Sequence, residues 1–247
     1  MGDDKAPAVP KVQALAFFTT NDSRPSLGIG VKAPAAAKLT STERYQKRAE
    51  SLATTGRIHG VDSVQAATAV LKALPSDVKL EKVFFVGHGF DNGFFFHGRP
   101  DPKDPDNFIA DNGNVETLQD PAKLSDASAT KQHEEFINEL VKHLHKSGRV
   151  EIGFLSCFTG TGSTVRAVGK TLAKAGFQEF KVGGYKNDYQ TRYIFDTSTG
   201  AILKWADEIL DKTNPKTILV KEDKNRIPAY ETDCGKSNDP LSFLLPC

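Results

Sequence analysis

The sequence predicts an α/β protein with a largely parallel sheet covered by helices, and three observations carry that prediction. Apolar runs of strand length recur at residues 11–20, 82–86, 150–155 and 180–185. Segments with a helical apolar stripe lie between them. The resulting order, strand, two helices, strand, helix, strand, helix, strand, favours parallel pairing with helices packed on both faces.

Each element has its own local reason. KVQALAFFTT (11–20) is apolar and aromatic enough for a buried strand, and residues 21–25 supply a turn. Residues 26–39 are rich in Gly, Ala and Pro and read as a loop. Thr40 with Glu43 fits a capping box, and Tyr45, Ala49 and Leu52 follow at helical spacing. Val64, Ala67, Leu71 and Leu74 form the stripe of a second helix that Pro75 ends. The run 82–86 is the next strand, and 93–96 reads as a short strand returning from it.

Residues 98–128 are dense in Pro, Asp, Asn and Gly and form an insertion too long for a simple connection. Asp104 and Asp106 begin a calcium-loop pattern that Phe108 breaks. A helix is expected over 130–146, with Phe136, Leu140 and Leu144 inward and Glu135, Glu139 and Lys142 outward. It delivers the chain to the strand 150–155. Ser163 can cap a helix that points Val165, Val168 and Leu172 inward and ends at Gly176. After the strand 180–185, residues 193–205 fit either a hairpin around 196–200 or a helix through Ile202, Trp205 and Ile209. The expected organisation is an unstructured lead (1–10), one α/β domain (11–222) with the insertion at 98–128, and a tail (223–247).

Composition narrows the function. Of 247 residues, 38% are hydrophobic and 26% charged, which suits a soluble globular chain able to bury a sizeable core. Net charge is +1 and the basic residues are interleaved with acids, so neither nucleic acid nor an anionic membrane is expected as a partner. The N-terminus has acids where a secretory signal needs positive charge, and no apolar run approaches the length of a membrane span. A cytoplasmic protein is expected, or one exported without a cleaved signal. Three cysteines do not make a disulfide framework: Cys234 and Cys247 can pair in an oxidising setting, which leaves Cys157 odd. With neither CxxC nor HExxH present, no metal and no cofactor is expected.

The chemistry points to two segments, VFFVGHGFDNG (83–93) and IGFLSCFTGTG (152–162). Each places a reactive side chain, His88 or Cys157, just past the C-terminal end of a predicted strand, where parallel sheets gather functional groups. If the strands are neighbours, about 4.8 Å apart, the two side chains share one sheet edge. A free thiol with a pKa of about 8.5 is mostly protonated near neutrality, so a cysteine nucleophile gains from an imidazole that takes its proton and later returns it to the leaving group. Gly87 and Gly89 allow a sharp turn, the amides of Gly89 and Cys157 can serve a developing oxyanion, and the helix that follows favours a thiolate at its N-terminus. The bland alternatives are a buried strand-end cysteine and a turn histidine satisfied by main chain. His97 also ends an apolar run before a glycine and is the rival base, whereas His59 has no apolar strand before it. His133, His143 and His145 read as solvated residues of the 130–146 helix.

GHGFDNGFFF resembles the His-Gly segment of caspase-like cysteine peptidases of the legumain, clostripain and gingipain kind, and FLSCFTGTG is similar to their catalytic cysteine segment. The resemblance covers 82–97 and 150–163 directly. It implies a caspase-like three-layer α/β/α sandwich, Cys157 as nucleophile, His88 as general acid and base, and a peptide or protein substrate. It also implies a substrate pocket after the strand 180–185, near Asp188 and Tyr185. Some proteins of this fold are interaction modules, so two other expectations stand beside peptidase activity. One is a non-catalytic module that binds a protein partner through 98–128; the other is amide or acyl transfer by the same pair.

Overall fold

The computed structural model describes residues 11–22, 39–90, 92–98, 100–101, 104–108, 116–156, 159, 163–185, 193–196, 202–205, 217–219 and 228–229. It is an α/β structure around one mostly parallel sheet. The first half contributes β1 (Lys11–Thr19), helix α1 (Ser41–Leu52), β2 (Ile58–Val61), helix α2 (Val64–Lys72) and β3 (Val78–Val86). Short strands β4 (Gly89–Phe90), β5 (Gly93–Phe95), β6 (Pro100–Asp101), β7 (Asp104–Phe108) and β8 (Thr117–Gln119) come next. The second half adds helix α3 (Ala127–His143), β9 (Val150–Leu155), helix α4 (Ser163–Lys174) and β10 (Phe180–Tyr185). Last come β11 (Tyr193–Asp196), β12 (Ile202–Trp205), β13 (Thr217–Leu219) and β14 (Pro228–Ala229).

The main sheet has the order β14-β10-β9-β3-β1-β2, with β14 antiparallel at one edge and the other five strands parallel. Side chains alternate across it, as the pleat requires. Leu15, Phe17, Val83, Phe85, Ile152 and Phe154 pack with Leu71 of α2, Phe136 and Leu140 of α3, and Val165, Val168 and Leu172 of α4. Their sequence neighbours Ala16, Phe18, Phe84, Val86 and Leu155 pack instead with Tyr45 and Ala49 of α1. Phe17, Phe85 and Phe154 are register neighbours on β1, β3 and β9. Their rings stack across the sheet, with centroids 5.7 and 4.6 Å apart. Full burial of one such ring contributes about 1.5–3 kcal/mol relative to exposure.

Several elements differ from expectation. β2 was not foreseen, because IHGV is a short, half-exposed edge strand without an apolar run. β3 begins at Val78, where Val78 and Leu80 are buried while Lys79 and Glu81 are not, an alternation that extends the apolar run backward. α3 starts at Ala127 because Asp126 is its N-cap and accepts the Ala129 amide at 2.6 Å. The 98–128 segment contains β6, β7 and β8, and β8 pairs with β5 beside the main sheet. Residues 193–205 resolve as a hairpin, with β11 and β12 antiparallel. Ile209 lies outside the described residues, as do the 1–10 lead and most of the tail.

The reading of His133 and His143 as solvated is corrected. His133 is fully buried, with Nδ1 2.7 Å from the Ala129 carbonyl oxygen and Nε2 2.7 Å from that of Thr117, so it ties α3 to β8. His143 is also buried, and burial is the main cause holding its pKa below the usual histidine range. Both lie on the apolar side of α3, where a histidine in place of an aliphatic residue goes unnoticed in a polar-looking sequence.

Candidate active site

Three parallel strand ends build the site. β1 sits between β2 and β3, so the chain reverses its direction of travel across the sheet there, and the connections that leave the paired ends of β1 and β3 run to opposite faces, the switch point where such sheets bind ligands. Beyond β1 come Thr20, Asn21 and Asp22; beyond β3 come Gly87 and His88.

The turn into His88 is shaped by close approach. Gly87 lies so near Thr19 that a Cβ there would fall on the Thr19 Oγ1. The Thr19 hydroxyl, fully buried, accepts the His88 amide at 3.1 Å and donates to the Phe95 carbonyl at 2.6 Å. One side chain thus joins the end of β1, the histidine and the returning strand β5.

The imidazole is held by side chains, which excludes a turn histidine satisfied by main chain alone. His88 Nε2 lies 2.7 Å from Asp22 Oδ2 and 2.9 Å from Tyr45 Oη. The Tyr45 ring stands edge-on to the imidazole, 5.1 Å between centroids and 87° between planes. Asp22 has no solvent exposure and the His88 side chain retains 17%. Asp22 is itself anchored: its amide donates to Thr42 Oγ1 at 2.8 Å, and its carbonyl accepts the Thr42 amide at 3.1 Å. Thr42 lies in the first turn of α1, whose positive end favours a nearby carboxylate.

β9 runs beside β3 with Leu155 opposite Val86, and the Gly87 amide donates to the Leu155 carbonyl at 3.1 Å. His88 is two residues past Val86, and in the sequence Cys157 is two residues past Leu155. Cys157 lies outside the described residues. Ser156 and Thr159, on either side of it, are buried; the Thr159 hydroxyl donates to the Ser156 carbonyl at 3.1 Å. A second tie links the two segments: the Thr164 hydroxyl donates to the Asn92 carbonyl, and Ser163 Oγ lies 3.5 Å from Asn92 Oδ1. The hairpin after His88 is therefore fastened to the first turn of the helix after the cysteine segment.

The Gly89 amide is not taken up by the β4–β5 ladder. The Phe95 amide donates to the His88 carbonyl at 3.0 Å, which makes Gly89 and Phe94 the non-hydrogen-bonded pair of the β4–β5 ladder. The Gly89 N–H accordingly points away from β5.

Of the other expected site residues, Tyr185 ends β10, the neighbour of β9, and only its main chain is described. Asp188, Cys234 and Cys247 lie outside the described residues. His97, the rival base, sits beside Thr20 with its Nδ1 3.2 Å from Asn21 Nδ2; it faces an amide, where His88 faces a carboxylate. His59 is on β2, its Nε2 buried with no hydrogen-bond partner, and burial, then Arg57, holds its pKa below the usual range. A shallow groove of about 150 Å³ between α2 and α3, lined by Gln65, Thr68, Ala69, Lys72, Gln132 and Glu135, contains none of the site residues. No cluster of three metal-capable side chains occurs, and no helix is long and apolar enough to cross a membrane, among the described residues.

Sequence reading missed Asp22 and Tyr45. The available signal for Asp22 was its position directly past an apolar strand end, the same signal that singled out His88 and Cys157. Comparison with known proteins finds no matching family model, no matching curated protein and no matching solved structure.

Proposed function

We propose that the protein is a cysteine endopeptidase of the caspase-like kind, built as a three-layer α/β/α sandwich, with Cys157 as nucleophile and His88 as general acid and base. The observation that carries this reading is the Asp22–His88 contact at the C-terminal edge of β3, beside the strand that leads to Cys157. An ionised carboxylate only accepts hydrogen bonds, so His88 carries its proton on Nε2 toward Asp22 and turns the Nδ1 lone pair to the reacting thiol.

The steps follow. Nδ1 takes the Cys157 thiol proton, and the thiolate attacks the peptide carbonyl carbon. The oxyanion that forms is met by the amides of Gly89 and Cys157. The tetrahedral adduct collapses as His88 gives its proton to the departing amine, leaving a thioester. Water, deprotonated by His88, then attacks the thioester; the carboxylic acid departs and the thiol is regenerated. Asp22 holds the ring in one tautomer and stabilises the imidazolium in both halves. Asp188 and Tyr185, following the strand next to β9, are the residues proposed to line the substrate pocket.

The test is labelling of the full chain with a peptidyl electrophile that alkylates thiols, with the adduct located by mass spectrometry. Cys157 is expected to label rapidly near neutral pH; Cys157→Ala removes the adduct, and His88→Ala slows it about 10²–10⁴-fold, the usual contribution of a general base. Adducts confined to Cys234 and Cys247 would overturn the reading and leave a non-catalytic module that uses the 98–128 segment.

A further inference from the structure

We propose that Tyr45 is a positioning residue for His88: its hydroxyl shares the Nε2 proton with Asp22 and keeps the imidazole in the tautomer that presents Nδ1 to the thiol. This rests on the reading of His88 as the acid–base group, and it assigns to α1 a part in the chemistry that no sequence motif suggested.

The geometry makes the case. Both Asp22 Oδ2 and Tyr45 Oη lie within hydrogen-bond distance of one nitrogen, at 2.7 and 2.9 Å. Because the carboxylate requires the proton on Nε2, the phenolic oxygen at that nitrogen accepts from the same N–H. Asp22 alone leaves the ring one degree of freedom: a half-turn about its Cβ–Cγ bond would exchange Nε2 with Cε1 and Nδ1 with Cδ2, so the carboxylate would lose its N–H partner. The Tyr45 ring is 5% exposed and stands edge-on to the imidazole, and its hydroxyl adds a second acceptor at Nε2, which favours the ring position and tautomer that keep the N–H there. Tyr45 and Asp22 are fixed by one helix, since Tyr45 belongs to α1 and Asp22 is bound through Thr42 to its first turn. Charged groups close to this pair include Asp22 after β1 and Arg44 on α1, whose guanidinium carbon lies 5.9 Å from the Tyr45 ring centre, and Arg48 is buried one turn along α1 from Tyr45.

The role is tested on the full chain labelled with ¹⁵N-histidine, by two-bond ¹H–¹⁵N spectra that report which ring nitrogen carries the proton. For wild type, the neutral His88 ring is expected as a single Nε2–H tautomer; a Nδ1–H signal there would overturn the proposal without any variant. Tyr45→Phe keeps the ring contact and removes the hydroxyl. It is expected to populate the second tautomer and to weaken proton binding at His88 about three- to tenfold, the loss of one acceptor to the imidazolium. The acid limb of the pH profile for Cys157 alkylation moves to lower pH in step. An unchanged tautomer and midpoint in Tyr45→Phe would overturn the proposal, since a purely structural tyrosine would leave both untouched. The spectra need no activity, so an inert Cys157 would defeat the peptidase reading while leaving this measurement decisive on Tyr45.

Discussion

A single methyl group at position 87 separates a built site from a distorted one. A Cβ on Gly87 would fall on the Thr19 hydroxyl, which is fully buried and already bonded on both sides, so the strain cannot be shed by rotation. Gly87→Ala is expected to cost about 1–3 kcal/mol, the usual range for overpacking, measured as a shift in the urea midpoint. Combining it with Thr19→Ala should recover part of that loss, with a coupling of about 1 kcal/mol between the two sites; strictly additive losses would show that the contact is not the cause. At this scale the sequence was half legible. His88 and Cys157 stood out because rare, reactive residue types followed apolar runs in glycine-bearing turns. Asp22 and Tyr45 did not, because an aspartate in a turn and a tyrosine on a helical stripe are ordinary there. They meet His88 across separations of 66 and 43 residues, which local pattern cannot see.

Among the elements, α1 does the most for its length. Its capping box, expected from Thr40 and Glu43, is present: the Glu43 amide donates to Thr40 Oγ1 at 3.2 Å and the Thr40 amide to Glu43 Oε2 at 2.7 Å. Thr40→Ala should cost about 0.5–2 kcal/mol by thermal or urea unfolding, and because Thr42 in the same turn binds Asp22, it should also broaden the His88 ring signals. A cost below about 0.3 kcal/mol would mean that the cap is idle in solution. The elements that were read well are those whose signal is local: the cap of α1, the stripe of α2, the runs of β9 and β10. Those read poorly draw their stability from elsewhere, such as β2, which gains its place only by pairing with β1. The turn after α3 shows that a hydrogen-bond sequence is not enough to define a site. Ser147 Oγ lies 3.0 Å from His145 Nε2, and His145 Nδ1 lies 3.0 Å from Glu81 Oε1. Yet this chain occupies an exposed turn near the start of β3, away from the switch point, and its evident work is to fasten the turn to that strand.

Across the whole molecule, the order β2-β1-β3-β9-β10 decides where chemistry can gather, and the alternation of strands and helices predicted the parallel sheet though not this order. Two histidines, His143 buried and His59 half-buried, are expected to give the fold a pH dependence. His59 and His143 are held below the usual histidine range mainly by burial, with Arg57 adding to the effect at His59 and Glu139 opposing it at His143. Both therefore bind protons more weakly folded than unfolded. Stability is full above the unfolded value of about 6.5 and declines as pH falls below it, until the folded values are passed. The double variant His59→Gln with His143→Gln should flatten that decline in urea titrations; an unaltered slope would place the acid lability in other groups. The stack of Phe17, Phe85 and Phe154 has a reach beyond packing, because it spans the same three strands that carry Asp22, His88 and the approach to Cys157. A one-residue slip of β3 would turn Phe85 toward α1 and carry His88 away from Asp22 in the same movement. The aromatic stack thus acts as a register gauge for the edge that carries the candidate site, so a chain that has folded with its rings aligned has also brought His88 to Asp22.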